Sequence, residues 1–323
     1  MKAIGGFFDL ELPIFRSNLH QDGIALSTGR SCISLWIQEE RPIRCFVPFY
    51  CCDAVLKPFK EAGVEIEFYA IDDELCPIGL PEKPEAGHWL YWTNFFGLLG
   101  SQLESLSKAW GKRVFVDNTH AFFEARTPGL WSFTSARKYF GVPDGAYCFR
   151  ANQDNTLPEI ERLLPFCAHH LVARLTTKAE KAFELYQESE LAFDSSIKKI
   201  SLFSERLIAA VDIEKVRETR LQNFRILEKQ LAQHNAFIPL KSNWFGIPFC
   251  YPFLHKKPIM RSDLYSQNIF VPILWPEVEK RDGSGFILER HLSKNLLPLP
   301  IDHRYEAEDM HRLAAIILEN INE

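Results

Sequence analysis

The feature that most constrains this chain is a rhythm in its first half, where short uninterrupted apolar runs alternate with segments of helical spacing. Arg44 to Val47 reads as a strand, and Asp53 to Ala62 as a helix closed by Gly63. Val64 to Tyr69 and Trp89 to Trp92 are two further strands. Ser101 to Trp110 reads as a helix with Leu103, Leu106 and Trp110 on one face, a capping box from Ser101 and Glu104, and Gly111 as its C-cap. Val114 to Val116 and Ala146 to Phe149 complete the strands of this half. Strands separated by helices of this length require crossover connections, and crossovers impose a largely parallel sheet. The predicted class is α/β. Pro58 conflicts with its helix and predicts a kink there.

From about Leu157 to Gln233 the pattern changes to charged amphipathic helices, Lys178 to Ala192 and Glu214 to Ala232. Short strands follow at Phe249 to Leu254 and Ile269 to Leu274, then a loop at Asp282 to Gly285. The last helix, Ala307 to Leu318, carries Met310, Leu313 and Ile317 as its apolar stripe. A chain of 323 residues suggests two domains. We place a large α/β domain at 1–195 and a smaller C-terminal α/β domain at 196–323.

Several function classes are set aside. The formal charge is -5 and the pI about 6.1, so no basic excess points to nucleic acid or acidic lipid. No apolar stretch reaches the roughly 18 residues of a membrane span, and Asp9 and Glu11 interrupt the N-terminal apolar run that a signal segment needs. None of the eight cysteines forms a C-x-x-C pair, so neither zinc nor redox spacing is present. Reduced thiols in a cytoplasmic protein are the expectation. Phosphate-loop, dinucleotide, H-E-x-x-H and G-x-S-x-G motifs are absent. His169 and His170 read as an exposed pair.

Three segments carry candidate chemistry. Ala25-Leu26-Ser27-Thr28-Gly29-Arg30-Ser31 leads into a helical pattern, and such a start leaves free N–H groups at the positive end of a helix dipole. It reads as a phosphate site or as an N-cap alone. Val114-Phe115-Val116-Asp117-Asn118-Thr119-His120 puts a carboxylate at the end of an apolar strand, where open α/β sheets bind ligands. Asp117 either caps the turn or pairs with a cationic ring nitrogen, and His120 either faces the same ligand or lies at the surface. In Phe133-Thr134-Ser135-Ala136-Arg137-Lys138-Tyr139-Phe140, a lysine sits among aromatic and apolar neighbours. Partial burial would lower its pKa and free a nucleophilic amine; otherwise the side chain snorkels to solvent. Ser135 binds a ligand oxygen or caps a turn. Together these are the groups that pyridoxal phosphate requires: a lysine amine, a carboxylate at the ring nitrogen and a phosphate cradle.

With those segments in view, the chain resembles the DegT–StrS sugar aminotransferases, a family of fold-type I pyridoxal-phosphate enzymes. The likeness runs from Gly5-Gly6-Phe7-Phe8 to the last helix and includes Val47-Pro48-Phe49-Tyr50 and Trp92-Thr93-Asn94-Phe95-Phe96-Gly97. It also takes in Arg137-Lys138 with Pro143-Asp144-Gly145, and Leu296-Leu297-Pro298-Leu299-Pro300-Ile301-Asp302-His303-Arg304-Tyr305 followed by Met310. The resemblance implies that Lys138 holds pyridoxal 5'-phosphate as an internal aldimine and shuttles the substrate proton. It implies that Asp117 keeps the ring nitrogen protonated and that His120, with Asn94 assisting, approaches the phenolic oxygen. Ser135 and the amides near Gly29 and Arg30 are the implied phosphate ligands.

The implied reaction moves an amino group from an amino-acid donor such as glutamate to a keto-sugar, nucleotide-linked, in a homodimer. Arg137 and Arg304 are candidates for the donor carboxylate. Alternatives are another reaction on the same fold, such as dehydration, or a non-enzymatic ligand-binding protein. Retained Lys138 argues against the family's dehydratases, which replace it. Two departures stand out. Cys52 occupies the position of the ring-stacking aromatic, leaving Tyr50 or another residue to cover that face, and the chain is shortened after Gly145.

Overall fold

The computed structural model describes residues 10–15, 19–152, 159–164, 168–177, 179–241 and 244–322. Gly5-Gly6-Phe7-Phe8 and Lys178 lie outside the described residues. The chain opens with β1 (Ile24–Leu26), α1 (Gly29–Glu40), β2 (Arg44–Pro48), α2 (Asp53–Ala62), β3 (Glu65–Ile71) and a short β4 (Pro77–Ile78). It continues with β5 (His88–Thr93), α3 (Leu103–Trp110), β6 (Val114–Asp117), β7 (Trp131–Ser135) and β8 (Ala146–Phe149). Four helices follow, α4 (His169–Thr176), α5 (Ala179–Leu191), α6 (Leu202–Ala209) and α7 (Ile213–Leu231). The C-terminal part holds β9 (Tyr251–Phe253), α8 (Arg261–Ser266), α9 (Ile287–Asn295), β10 (Leu297–Leu299) and α10 (Ala307–Asn322).

Eight strands form one sheet in the order β1-β8-β7-β6-β5-β2-β3-β4. The central run from β7 to β3 is parallel. β8 is antiparallel to both β7 and β1, so β1 runs in the same direction as β7. That places the start of α1 at the sheet edge where β5, β6 and β7 end, which is the edge that binds ligands in open α/β sheets.

The uninterrupted apolar strands are explained by burial on both faces. Along β5 and β6, Trp89, Tyr91 and Phe115 point to the face covered by α1 and α2. Leu90, Trp92, Val114 and Val116 point to the opposite face, against residues from α9 and from around Phe237. Trp36 of α1 stacks on Phe115 with ring centres 4.5 Å apart. The C-terminal residues have a cluster of their own, in which α7 and α10 close over β9 and β10 through Phe224, Leu227, Phe253, Leu299, Leu313 and Ile317.

Four local expectations meet the structure as follows. No capping box forms at α3: Ser101 lies in a preceding 3-10 turn, and Glu104 instead pairs with Lys108 one turn on at 2.8 Å. Helix α2 carries Pro58 in its interior as one ten-residue element, forgoing the hydrogen bond its missing N–H would have made. Residues Ile269 to Leu274 form no strand; the apolar spacing there reflects burial of Ile269 and Val271 in the C-terminal cluster. His170 is buried, not exposed, with its ring against Tyr186 of α5.

One buried group makes stability depend on pH. The His20 ring packs against Phe122, Tyr147 and Phe149, and its Nε2–H donates to the Phe122 carbonyl at 2.7 Å. Burial pushes its pKa down from 6.5 to about 4. Between those values the unfolded chain binds a proton that the folded chain refuses. The stability contribution is therefore full above about pH 6.5 and drains away as pH falls toward 4, by roughly 3 kcal/mol. Denaturant unfolding from pH 7 to pH 4 should show this limb, and His20→Phe should make it shallower, leaving the share of buried His120; an equally steep limb in the variant would refute the assignment.

Candidate active site

The ends of three neighbouring strands set the site. In register, Thr93 of β5 lies beside Asp117 of β6, and Asp117 beside Phe133 of β7. Asp117 is 4% exposed. It accepts hydrogen bonds from the Tyr91 hydroxyl at 2.6 Å and from the Thr119 N–H at 2.8 Å. Burial raises its pKa, while those two donors and the charge of Lys138 pull the other way. No cation touches it among the described residues. The Thr93 hydroxyl beside it is buried without a hydrogen-bond partner.

Lys138 ends a 3-10 turn, Ala136–Lys138, that follows β7. Its positive charge acts on Asp117, His120 and Cys52 together, so the four side chains share one edge of the sheet. The expectation of partial burial is not met, because Lys138 is exposed. Its apolar neighbours Tyr139 and Phe140 turn inward and leave the lysine at the mouth.

His120 is 2% exposed. Its Nδ1 accepts the Phe96 N–H at 3.3 Å, which leaves the ring proton on Nε2. Burial, reinforced by Lys138, holds its pKa well below 6.5, so the imidazole is neutral. Phe249 stacks on the ring at 4.3 Å and 7°, and Trp275 lies nearly parallel at 5.7 Å. Phe96 (φ 60) and Trp275 (φ 55) both adopt left-handed backbone. Strain of this kind persists only where surrounding structure enforces it, and here both residues pack on one imidazole. Gly97 completes the turn at φ +74, where a Cβ would lie 2.4 Å from the His120 carbonyl oxygen. Only glycine permits that approach.

The start of α1 presents unpaired donors. Thr28 is the N-cap, its hydroxyl accepting the Ser31 N–H at 3.2 Å. The N–H groups of Gly29 and Arg30 have no partner among the described residues. The half-buried Arg30 guanidinium lies over the Phe193 ring at 5.6 Å. Arg137 lies over the same ring at 4.9 Å but is ion-paired with Glu190 of α5. Gly145 ties this helix start to the lysine turn. Its N–H donates to the Ser27 carbonyl at 2.6 Å, and its carbonyl accepts from Ala136 N–H at 3.0 Å and the Ser135 hydroxyl at 3.4 Å.

The remaining sequence candidates are placed as follows. The Asn94 amide is engaged with Asn118 and the Leu99 N–H, at 3.1 and 2.9 Å. Arg304 is held by Asp302 and is largely exposed. Tyr50, just past the end of β2, is fully buried against Trp275 and Phe95. Cys52 stands at the start of α2, partly buried, with its thiol pKa raised by burial. Sequence reasoning missed Phe249 and Trp275, which reach His120 from more than 120 residues downstream. Nothing local marks either of them.

The fold is shared with solved structures. A TlmJ aminotransferase from Streptoalloteichus hindustanus superposes over 93% of this chain and 86% of its own, with a TM-score of 0.66 at 13% identity. Helicobacter pylori PseC, an aminotransferase of pseudoaminic acid biosynthesis, covers 92% and 85% with a TM-score of 0.63 at 12% identity. The chain has their fold. An E. coli GDP-4-keto-6-deoxy-D-mannose-3-dehydratase with bound hydrated PLP matches 91% and 87% at a TM-score of 0.60 and 15% identity. No protein-family model matches the chain, and neither does any curated protein. At these identities the likeness establishes fold-type I architecture and leaves the chemistry to the site.

Proposed function

We propose that the chain is a pyridoxal-phosphate-dependent aminotransferase that moves an amino group from an amino-acid donor such as glutamate to a keto-sugar, nucleotide-linked. The observation that carries this reading is the shared position of Lys138, Asp117 and His120, at the edge where α1 begins. The residues suit the cofactor. A protonated ring nitrogen would give the buried Asp117 carboxylate the contact cation it otherwise lacks. The free amides of Gly29 and Arg30, the Ser135 hydroxyl and the Arg30 guanidinium are donors for a phosphate.

When bound, the cofactor supplies an aldehyde for an amine and an electron sink for the substrate's α-carbon. Asp117 would hold a proton at the ring nitrogen, Lys138 would take up and give back the substrate proton, and neutral His120 would offer its Nε2–H toward the ring's phenolic oxygen. The neighbours support the sugar as acceptor: PseC and TlmJ are aminotransferases, and the E. coli relative acts on a nucleotide-linked keto-sugar. Exposed Val172, Leu175, Phe183 and Leu191 on α4 and α5 support a homodimer that covers them. Free thiols at the seven described cysteines accord with a cytoplasmic setting. No helix among the described residues is long and apolar enough to cross a membrane.

The test is spectroscopic. Protein saturated with pyridoxal phosphate should show the visible absorption of lysine-bound cofactor, and glutamate should convert it to the pyridoxamine form. A panel of keto-sugar nucleotides should then restore the visible band. Failure to bind the cofactor removes the enzyme reading, and binding without the glutamate half-reaction removes the transaminase.

A further inference from the structure

Behind the site lies a charge that this chemistry does not use. Arg220, on α7, is 1% exposed. Its Nε and Nη1 have no hydrogen-bond partner, and Nη2 donates to the Phe249 carbonyl at 3.0 Å. Asp302, the acid nearest in charge, is bound in both its oxygens by Arg304. A guanidinium buried this way is expensive, and an apolar side chain of similar volume would fill the space at lower cost.

Its contacts lead to the site. The guanidinium carbon lies 4.4 Å from the centre of the Tyr139 ring, and Tyr139 follows Lys138 in the chain. The Tyr139 hydroxyl donates to the His120 carbonyl at 2.6 Å. Phe249, whose carbonyl Arg220 holds, stacks on the His120 ring. The Phe249 N–H donates to the Phe96 carbonyl at 2.9 Å, and the Phe96 N–H in turn donates to His120 Nδ1. The contacts close a ring: Arg220, Tyr139, His120, Phe96, Phe249 and back to Arg220.

We infer that Arg220 is a positioning residue that clamps Tyr139 and Phe249, and through them fixes the Lys138 turn and the Nε2–H of His120 against the cofactor. The inference rests on the proposed cofactor for the identity of the ligand, and on the contacts above for the clamp. A guanidinium spreads its donors across a plane and so can sit over an aromatic ring and donate to a carbonyl from its rim, an arrangement that the compact ammonium of lysine reproduces less well.

The experiment compares full-length wild type with Arg220→Met, Arg220→Lys and Tyr139→Phe. Pyridoxal phosphate affinity is read by absorbance titration. The division of bound absorbance between its two bands reports the hydrogen bond at the ring hydroxyl. Arg220→Met should weaken the cofactor roughly 10-fold or more and redistribute the bands, with Arg220→Lys in between. Tyr139→Phe keeps the ring and loses the hydroxyl, so it should move both readouts the same way by less. A folded Arg220→Met with wild-type affinity and band ratio overturns the clamp. Should that variant fail to fold, unchanged values in Tyr139→Phe overturn it instead. Wild type that does not bind at all overturns both this inference and the proposed function, whereas binding with indifferent variants overturns the clamp alone.

Discussion

Lys138→Ala is expected to remove the visible absorption of bound cofactor completely and to lower turnover by at least ~10⁴-fold, the scale at which losing a covalent participant is felt. The thermal midpoint should barely move. Lys138 is exposed and makes no hydrogen bond among the described residues, and truncating such a side chain ordinarily changes stability by less than about 0.5 kcal/mol. Separation of the two effects is the informative part. A variant that loses activity and melts early would speak only for structure; one that keeps its band and its turnover would dismiss Lys138 as the cofactor's anchor.

Asp117→Asn should divide stability from activity in the opposite sense. The carboxylate is buried with its pKa raised, so the folded protein without cofactor carries a charge its surroundings disfavour. A neutral amide of the same shape still offers an oxygen to Tyr91 or Thr119. The unfolding midpoint of cofactor-free protein should therefore hold or rise. Turnover should fall by roughly 10²- to 10⁴-fold, because the ring nitrogen loses the anion that keeps it protonated and the electron sink weakens. The measurement is a pair of curves, unfolding without cofactor and turnover with it. Turnover equal to wild type would refute the role assigned to Asp117.

The sheet was legible because its central strands are buried on both faces, which writes them as continuous apolar runs. Asp117 was legible for the same reason, as the first charged residue after Val114-Phe115-Val116. Residues read from their immediate neighbours fared worse. Tyr139 and Phe140 suggested a partly buried lysine, but side chains in a tight turn diverge, and those two face the core while Lys138 faces out. Ser101 and Glu104 had capping spacing, yet Lys108 offered Glu104 an oppositely charged partner one turn away. The strand expected at Ile269 to Leu274 mistook burial for pairing. What no local pattern could reveal is the wall around His120, built from Phe96, Phe249 and Trp275, since strained backbone and long-range stacking leave no periodic trace.

Gly145 has a wider consequence. This one residue grips the loop before α1 with its N–H and the turn before Lys138 with its carbonyl, and its φ of +129, with the Ile200 side chain close by, disfavours any residue with a Cβ. On the proposed reading, the start of α1 and the lysine turn are thereby held like the jaws of a calliper set to a single gap. A molecule with its anionic tail seated on α1 meets the amine only if its own length matches that setting, so the backbone gauges its guest before any side chain reacts with it.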